Sequence, residues 1–327
     1  MSEKTDSPPR KVVVGTTMYA MWEPHPGLAK RMATLGGFVD QMAVQAKEKH
    51  GVGLDLAVLP ENAVTGCAKD GDSAADHSVP LEGEVLNTMG RIARRNRTYL
   101  VVPMGLAEGG QYYNAAALLD RDGSAVGIYR KVHPVDSADA GVLEGGRMPG
   151  KDFPVFQCDF GTVGIQICFD IRFDDGWATL ARKGAEIVAW PTQTPRQILS
   201  GFRARQYGYY VVSSTWRNNA SLIDPTGAVA AQIVEPQNIL VEQIDLSWVM
   251  LDWQPKLRNG EALRERYGEK VGFRYSEAED EGLFWSNDPA TPITQMVREL
   301  GLELPEPSID RNRRLQDALR GGPPSLQ

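Results

Sequence analysis

Residues 163–173, VGIQICFDIRF, combine a short apolar run with a cysteine and a polar continuation. The apolar part, GIQIC, predicts a strand, and the residues from Phe169 onward lead into helical spacing near 174–183. Cys168 therefore stands where a strand gives way to a helix. Functional side chains of α/β proteins commonly collect at strand ends. This stretch thus indicates both a fold class and a candidate site.

The alternation of strands and helices continues in both directions from this stretch. Apolar runs predict strands at 11–17, 54–60, 98–105, 185–191 and 209–215. Apolar residues at helical spacing cover 27–50, 85–93, 174–183 and a segment that ends near 208. Turn signals at Arg121-Asp122-Gly123 and Asp224-Pro225-Thr226-Gly227 predict two hairpins. The pattern predicts one layered α/β domain.

The two ends of the chain differ in composition from this core. Residues 1–10 are polar and contain prolines, so we expect a flexible tail. No linker interrupts the pattern before residue 245, and we place one domain over 11–249. From 250 to 327 the chain is richer in charge and proline, with a short helix predicted at 291–300. We expect this C-terminal extension to contact an oligomer partner and to end in disorder at GGPPSLQ.

Composition and charge disfavour several classes of protein. The chain has 327 residues, 42% of them hydrophobic, which is enough for a sizeable core. Its net charge is -7 and its basic residues form no tract, so neither nucleic acid nor an anionic membrane is an expected partner. The N-terminus is unlike a signal peptide, and no run approaches the roughly 18 apolar residues of a membrane span. We expect a cytoplasmic protein.

The cysteines are candidates for chemistry and not for a disulfide scaffold. Cys67, Cys158 and Cys168 are few and widely separated, and their spacing matches no zinc site. At a strand-to-helix turn, Cys168 can lie beside backbone N–H groups that favour a thiolate and stabilise an oxyanion. The alternative is a small, inert core residue.

Two further residues also follow predicted extended segments. Glu61 comes directly after the strand at 54–60, and Lys131 lies where an extended segment stops. A lysine beside a thiol and a carboxylate would present its ammonium to an oxyanion, although each residue alone equally suits a solvated surface. His133, two residues later on the same strand face, leaves a Cys–His mechanism open.

Three motifs in this order resemble those of the nitrilase, or carbon–nitrogen hydrolase, superfamily. They are LAVLPENAVTG (56–66), YRKVHP (129–134) and VGIQICFDIRF (163–173). The resemblance covers about 11–245 and implies a four-layer α-β-β-α sandwich with a C-terminal extension. It also implies that Glu61 is the general base, Lys131 the catalytic lysine and Cys168 the nucleophile.

The resemblance extends to further positions. Glu144, in VLEGGRMPGKDFPVF (142–156), matches the family's second glutamate by context, while a solvated loop residue is the alternative. Arg172 lies where carbamoyl amino acid hydrolases carry an arginine for the substrate carboxylate; an internal ion pair, for example with Asp170, is the alternative. The residues expected to bind substrate are Phe169, Arg172, Trp190 and Tyr113.

This chain departs from the family pattern beside the pocket. Cys67 replaces a usual Tyr, and Phe173-Asp174-Asp175 replaces Phe-Pro-Glu. Arg203-Ala204-Arg205-Gln206-Tyr207 and Ser214-Thr215-Trp216-Arg217 also differ from the usual forms. These changes bear on the identity of the substrate and not on the reaction class.

The resemblance implies a mechanism without metal or organic cofactor. Glu61 takes the proton of Cys168, the thiolate attacks an amide carbon, and Lys131 with the Phe169 N–H holds the oxyanion. Water then hydrolyses the thioester with help from Glu144. We expect a small amide or N-carbamoyl substrate, because the family's true nitrilases follow the nucleophile with Trp-Glu-Asn and this chain does not.

Two alternative functions and one oligomeric assembly complete the expectations. The same site could hydrolyse nitriles, or the fold could be a non-catalytic binding protein. The resemblance also implies a homodimer or larger homo-oligomer that associates through helices. The segment beyond residue 250 would pack around the partner subunit, and Trp253 is a candidate contact residue.

Overall fold

The computed structural model describes residues 6–67, 72–137 and 141–324. The chain divides into two compact units. One unit spans Val12–Ile244, and the other combines the N-terminal residues up to Lys11 with those from Asp245 onward.

The strands and helices of the first unit follow the predicted alternation. Its strands, in chain order, are β1 (Lys11–Thr17), β2 (Leu56–Val58), β3 (Tyr99–Glu108), β4 (Gln111–Leu119), β5 (Ala125–Arg130), β6 (Asp136–Ser137), β7 (Val142–Leu143), β8 (Val155–Gln157), β9 (Thr162–Ile165), β10 (Ile187–Pro191), β11 (Tyr210–Ser214), β12 (Ser221–Ile223), β13 (Val229–Gln232) and β14 (Ile239–Asp245). Its helices are α1 (Leu28–His50), α2 (Glu84–Asn96), α3 (Asp175–Arg182) and α4 (Gln197–Tyr207), with 3-10 helices at Ala74–His77 and Cys168–Arg172. The predicted strands at 11–17, 54–60, 98–105, 185–191 and 209–215, the four predicted helices and both hairpins are confirmed.

Two six-stranded sheets form the centre of this unit. Their strand orders are β14-β1-β2-β3-β4-β5 and β13-β12-β11-β10-β9-β8. Hydroxyl groups link the two sheets, because Thr16 Oγ1 donates to the Ser213 carbonyl at 2.6 Å and Ser214 Oγ donates to the Thr17 carbonyl at 2.9 Å.

Each sheet is covered by a helix pair on its other face. Apolar residues of α1 and α2, such as Leu35 and Ile92, are buried against the first sheet. Trp177 and Leu180 of α3 and Ala204 of α4 are buried against the second. The architecture is the predicted α-β-β-α sandwich.

The hairpin of β4 and β5 depends on two glycines. Gly123 adopts φ 79° in the turn, a backbone conformation that suits glycine. The turn packs so closely on α2 that a Cβ on Gly90 would lie 2.5 Å from the Gly123 carbonyl oxygen. This contact fixes the hairpin whose far end carries Lys131.

The second unit has its own sheet and core, neither of which was predicted. Its strands are β15 (Val249–Asp252), β16 (Val271–Ser276) and β17 (Glu281–Ser286), and its helices are α5 (Glu261–Tyr267), α6 (Ile293–Glu299) and α7 (Pro305–Arg320). The strands form an antiparallel sheet in the order β15-β17-β16. Leu257, Phe284 and Met296 lie in the core beside this sheet. The predicted short helix at 291–300 is confirmed as α6.

The N-terminal residues that the structure describes contact this second unit. Arg298 forms an ion pair with Asp6 at 2.6 Å, and the Arg10 N–H donates to Asp245 Oδ1 at 3.0 Å. Asp6 and Arg10, both in the predicted flexible tail, therefore form polar contacts. Residues 1–5 of that tail and residues 325–327 of the predicted disordered end lie outside the described part of the chain.

The topology brings the candidate residues to one edge of the sandwich. The parallel strands β1, β2 and β3 and the parallel strands β9, β10 and β11 direct their carboxyl ends into loops. Glu61 lies in the turn after β2, and Cys168 begins the 3-10 helix after β9. Because the carboxyl ends of parallel strands share an edge, Glu61 and Cys168 lie at the edge where α/β sheets commonly bind ligands. No helix among the described residues is long and apolar enough to cross a membrane.

Candidate active site

A buried lysine lies between two glutamates. The Lys131 ammonium is 3.1 Å from Glu61 Oε1 and 2.7 Å from Glu144 Oε1. Side-chain exposure is 1% for Lys131, 2% for Glu61 and 16% for Glu144. Buried charges of this kind are tolerated when they are paired and hydrogen-bonded, and all three residues meet this condition.

Asn114 of β4 connects the same two carboxylates. Its side-chain amide donates to Glu61 Oε1 at 2.9 Å and to Glu144 Oε2 at 3.0 Å. Its backbone carbonyl also accepts the Lys131 N–H at 2.8 Å. The sequence analysis did not single out Asn114, although it is adjacent to Tyr113, one of the predicted substrate-binding residues.

The charges of the cluster reinforce each other. Burial alone lowers the pKa of Lys131, but Glu61 and Glu144 outweigh it and hold that pKa well above its ordinary value. Burial raises the pKa of Glu144, but the hydrogen-bonded Lys131 ammonium outweighs it and the pKa lies below its ordinary value. The lysine is a fixed cation, and Glu144 is a fixed anion at neutral pH.

Cys168 lies within the field of this cluster. Burial, and then the Glu61 carboxylate, raise the pKa of its thiol to about 12. Lys131 opposes this shift, as do hydrogen bonds from the Gln193 backbone and the Thr192 side chain. Cys168 is therefore protonated at neutral pH, and it would need a base in order to act as a nucleophile. Glu61 offers one, because its Oε2 is buried and makes no hydrogen bond to any described residue.

Unusual backbone conformations coincide with the site residues. Cys168 has φ 43°, Glu144 has φ 42° and Asn62, next to Glu61, has φ 54°. Non-glycine residues in this left-handed region are strained, and such strain clusters at functional sites. The Trp216 indole N–H supports the same region by donating to the Glu61 carbonyl at 2.9 Å.

His133 faces carboxylates on both sides. Its Nδ1 lies 3.0 Å from Asp170 Oδ1 and its Nε2 lies 3.3 Å from Asp175 Oδ2, while its ring stacks on Phe173 at 3.9 Å. Burial lowers the pKa of His133, but Asp170 and Asp175 outweigh it and raise that pKa. Both ring nitrogens are occupied by carboxylates, so the geometry favours Lys131 over His133 as the partner of Cys168.

Comparisons with known proteins show the family of this chain. The sequence pattern of the carbon–nitrogen hydrolase family matches residues 28–250. The chain belongs to this family. The family resemblance predicted from the three motifs is thereby confirmed.

Curated relatives of this carbon–nitrogen hydrolase include amidases. Omega-amidase NIT2 of Danio rerio is 26% identical over 230 residues, which cover 62% of this chain and 80% of the relative. Deaminated glutathione amidase of Homo sapiens is 29% identical over 233 residues, which cover 62% of this chain and 70% of the relative.

Solved structures share the fold at low sequence identity. The carbon-nitrogen hydrolase from Helicobacter pylori G27 has a TM-score of 0.62 and 19% identity, covering 72% of this chain and 90% of that one. Saccharomyces cerevisiae Nit3, a member of branch 10 of the nitrilase superfamily, has a TM-score of 0.59 and 20% identity, covering 79% and 94%.

The predicted substrate-binding residues of this carbon–nitrogen hydrolase lie in different environments. Phe169 is half-buried and packs edge to face on Phe173 at 5.7 Å. Arg172 is exposed, and Asp170 is instead bonded to Tyr129 and His133. The internal ion pair between Arg172 and Asp170 is therefore absent from the described structure.

The other two predicted substrate-binding residues are Trp190 and Tyr113. Trp190 is fully buried in the core beside Trp177, and its indole N–H lies 3.3 Å from the Cys168 carbonyl oxygen. This hydrogen bond joins the ring to the backbone of Cys168. Tyr113 faces the opposite side of β4 from Asn114 and donates its hydroxyl to Gln111 at 2.6 Å. The structure does not bring Tyr113 to the cluster.

The described residues contain no group of three or more His, Cys, Asp or Glu side chains that could hold a metal ion. The carboxylates of the site are engaged instead by Lys131 and Asn114.

Proposed function

We propose that this protein hydrolyses the amide C–N bond of a small molecule, with Cys168 as nucleophile, Glu61 as base and Lys131 as oxyanion donor. The single observation that carries the proposal is the buried Lys131 ammonium, 3.1 Å from Glu61 and 2.7 Å from Glu144, beside the Cys168 thiol. The amidase relatives support the same reaction class.

The first half-reaction forms an acyl-enzyme. Because the pKa of Cys168 is about 12, its proton must leave as the sulfur attacks, and Glu61 Oε2 accepts it. The carbonyl oxygen becomes an oxyanion that Lys131 and the Phe169 N–H stabilise. Phe169 lies in the first turn of the 3-10 helix, where N–H groups lack helical partners. The C–N bond then breaks, and Glu61 returns the proton to the departing ammonia or amine.

The second half-reaction releases the acid. Glu61 accepts a proton from water as the water oxygen attacks the thioester carbon, and the Cys168 sulfur leaves. Glu144 holds Lys131 from the other side throughout, and Asn114 keeps the two carboxylates in register. Glu61 then returns its proton to the departing sulfur, which regenerates the Cys168 thiol.

We propose the carbamoyl and carboxylate-bearing amides as the substrate class within this reaction. Arg172 is exposed four residues after the nucleophile, and a guanidinium binds a carboxylate with two hydrogen bonds. Arg172→Lys is therefore expected to raise KM for an N-carbamoyl amino acid far more than for a neutral amide of similar size. Equal effects on both substrates would remove Arg172 from substrate recognition.

Ammonia release from a panel of amides, N-carbamoyl amino acids and nitriles tests the reaction class. We expect turnover of amide or ureido compounds by the wild type and none by Cys168→Ala. Cys158→Ala is the matched control, because burial raises the pKa of this thiol also to about 12 but it lies in the β8–β9 hairpin. Nitrile turnover above amide turnover supports nitrile hydrolysis instead. Binding without turnover of any compound supports a non-catalytic role.

We also propose a homodimer or larger homo-oligomer, which the family resemblance implies. Apolar side chains stand exposed in both units: Ile198 and Phe202 on α4 of the first, and Trp253, which is 54% exposed, in the second. Exposed aromatic and aliphatic groups of this size are typical of protein contacts.

A further inference from the structure

A buried arginine lies beside the Glu144 carboxylate, and the mechanism does not use it. Arg147 is 4% exposed, and its Nη1 is 3.0 Å from Asn62 Oδ1 and 3.5 Å from Glu144 Oε2. Its Nε and Nη2 are buried and have no hydrogen-bond partner among the described residues. A guanidinium with two unpaired buried nitrogens is costly, so the site retains it at the expense of stability.

Backbone hydrogen bonds hold Arg147 where it is. The Arg147 N–H donates to the Leu143 carbonyl at 2.8 Å, which closes the turn that contains Glu144. Met148 N–H donates to the Tyr112 carbonyl at 2.7 Å, and Gly150 N–H donates to the Lys131 carbonyl at 2.8 Å. The segment that follows Arg147 is therefore hydrogen-bonded to β4, which carries Asn114, and to Lys131, which directly follows β5.

The charges of the site require a second cation. Glu61 and Glu144 carry two negative charges, and Lys131 carries one positive charge. Without Arg147, the cluster would hold one uncompensated buried negative charge. Such a site ordinarily becomes neutral by taking up a proton on one carboxylate. With Arg147, two cationic side chains accompany the two carboxylates, and Glu144 stays ionised.

We propose that Arg147 is a positioning residue that keeps Glu144 ionised and holds the Glu144 and Glu61 loops together. It contacts Glu144 directly and reaches the Glu61 turn through Asn62, whose φ is 54°. Arg147 acts through these residues and not on the substrate. This inference rests on the proposed function, because amide turnover is one of its two measurements.

The groups that face Glu144 determine the direction of the pH effect. They are Lys131 from the end of β5, Glu61 across that ammonium, Arg147 from its own loop and the Cys67 thiol. On the neighbouring 3-10 helix, His77 is paired with Asp72 at 2.8 Å. Burial raises the pKa of Glu144, whereas Lys131 and then Arg147 lower it. Removal of Arg147 must therefore move the pKa of Glu144 upward.

The first measurement is the pH dependence of kcat/KM for an amide that the wild type hydrolyses. In Arg147→Met, we expect the acid limb to move to higher pH by about one unit or more, the usual effect of an opposite charge at this distance. Arg147→Lys keeps the positive charge, so its acid limb is expected to lie above the wild-type limb by no more than about half that shift. Arg121→Met is the matched control, because Arg121 pairs with Asp55 and Asp159 at the opposite end of β4. Its limb should match that of the wild type.

A second variant separates positioning from general structural damage. If Arg147 acts through Glu144, then Arg147→Met should lower kcat/KM only slightly when Glu144 has already been replaced by Gln. The double variant should therefore be less impaired than the product of the two single losses. Losses that multiply, or an activity loss uniform across pH in Arg147→Met and Arg147→Lys alike, would overturn the proposal.

The second measurement needs no turnover and keeps the two proposals distinguishable. The folded-state pKa of Glu144 is lowered, so its ionisation stabilises the fold above the ordinary carboxylate range, and this stability is lost as pH falls through the folded-state pKa. In Arg147→Met, the unfolding temperature should begin to fall at higher pH than in the wild type, and Glu144→Gln should abolish the difference. If the wild type hydrolyses no amide but this shift is seen, the proposed function fails and the role of Arg147 stands. If the shift is absent in a folded variant, the role of Arg147 is refuted.

Discussion

Replacement of Lys131 by methionine is the most informative single perturbation of this site. The side chain is 1% exposed and separates Glu61 from Glu144, so Lys131→Met keeps most of the volume but leaves two carboxylates facing each other. Removal of one partner from a buried ion pair costs about 3–5 kcal/mol. We expect the free energy of unfolding at neutral pH to fall by that amount.

The same variant should lose catalysis by a separate route. Loss of one oxyanion donor usually lowers kcat by about 10²–10³-fold. A surface pair provides the control: Lys49 lies 2.9 Å from Glu242, with side chains 46% and 31% exposed. Exposed pairs are worth about 0–1 kcal/mol, so Lys49→Met should change neither the free energy of unfolding nor kcat appreciably.

The stability difference should depend on pH with a definite sign. In the wild type, burial raises the pKa of Glu144 but Lys131 more than offsets it, so ionised Glu144 stabilises the fold at neutral pH. Without Lys131 that carboxyl is expected to bind a proton more readily in the folded state. The deficit of Lys131→Met is therefore largest at neutral pH and narrows as pH falls through the carboxylate range.

Denaturant unfolding at pH 7 and pH 5, together with ammonia release, measures both effects. Lys131→Met/Glu144→Gln should recover part of the lost stability, because it removes one of the unpaired charges, but not the lost turnover. The reasoning is refuted if Lys131→Met unfolds within about 1 kcal/mol of the wild type at neutral pH and keeps more than about a tenth of its kcat.

Four further expectations concern the nucleophile, the base, the histidine and the extension. Cys168→Ala should fold as the wild type does and show no turnover; wild-type rates would end the thiol mechanism. Glu61→Gln should slow turnover by about 10²-fold or more, because it removes the base that takes the Cys168 proton. A wild-type kcat in this variant would contradict that role. His133→Ala should cost much less than Lys131→Ala, and the reverse order in folded proteins would favour a Cys–His pair. Truncation after residue 250 should lower the oligomer size or solubility, and sedimentation that shows an unchanged assembly would refute it.

Much of the fold was predictable from local sequence. Apolar residues at helical spacing over 27–50 predicted α1, and the apolar runs at 11–17 and 209–215 predicted β1 and β11. Such patterns are reliable because the period of burial is a property of each element by itself. The second unit was not predicted in the same way, because its strands are short and β15 pairs with β17, although α5 and β16 lie between them in the chain. Pairing between strands this far apart is not visible in sequence.

The candidate site, like the fold, was predictable from the sequence only in part. Sequence alone placed Glu61, Lys131 and Cys168 at the ends of extended segments and, by motif order, in one family. Only the tertiary structure showed that Lys131 lies between two carboxylates and that Asp170 is bonded to His133 and not to Arg172.

Asn114 and Tyr113 show why the sequence alone could not place every residue of the site. The two residues are adjacent on β4, so their side chains point to opposite faces of the sheet. Asn114 bonds Glu61, 53 residues earlier, and Glu144, 30 residues later, whereas Tyr113 turns toward Gln111. Sequence determined that a polar group would be found in this stretch. Which face of the strand turns to the site depends on the register of β4 between β3 and β5, and only the packed sheet decides that register.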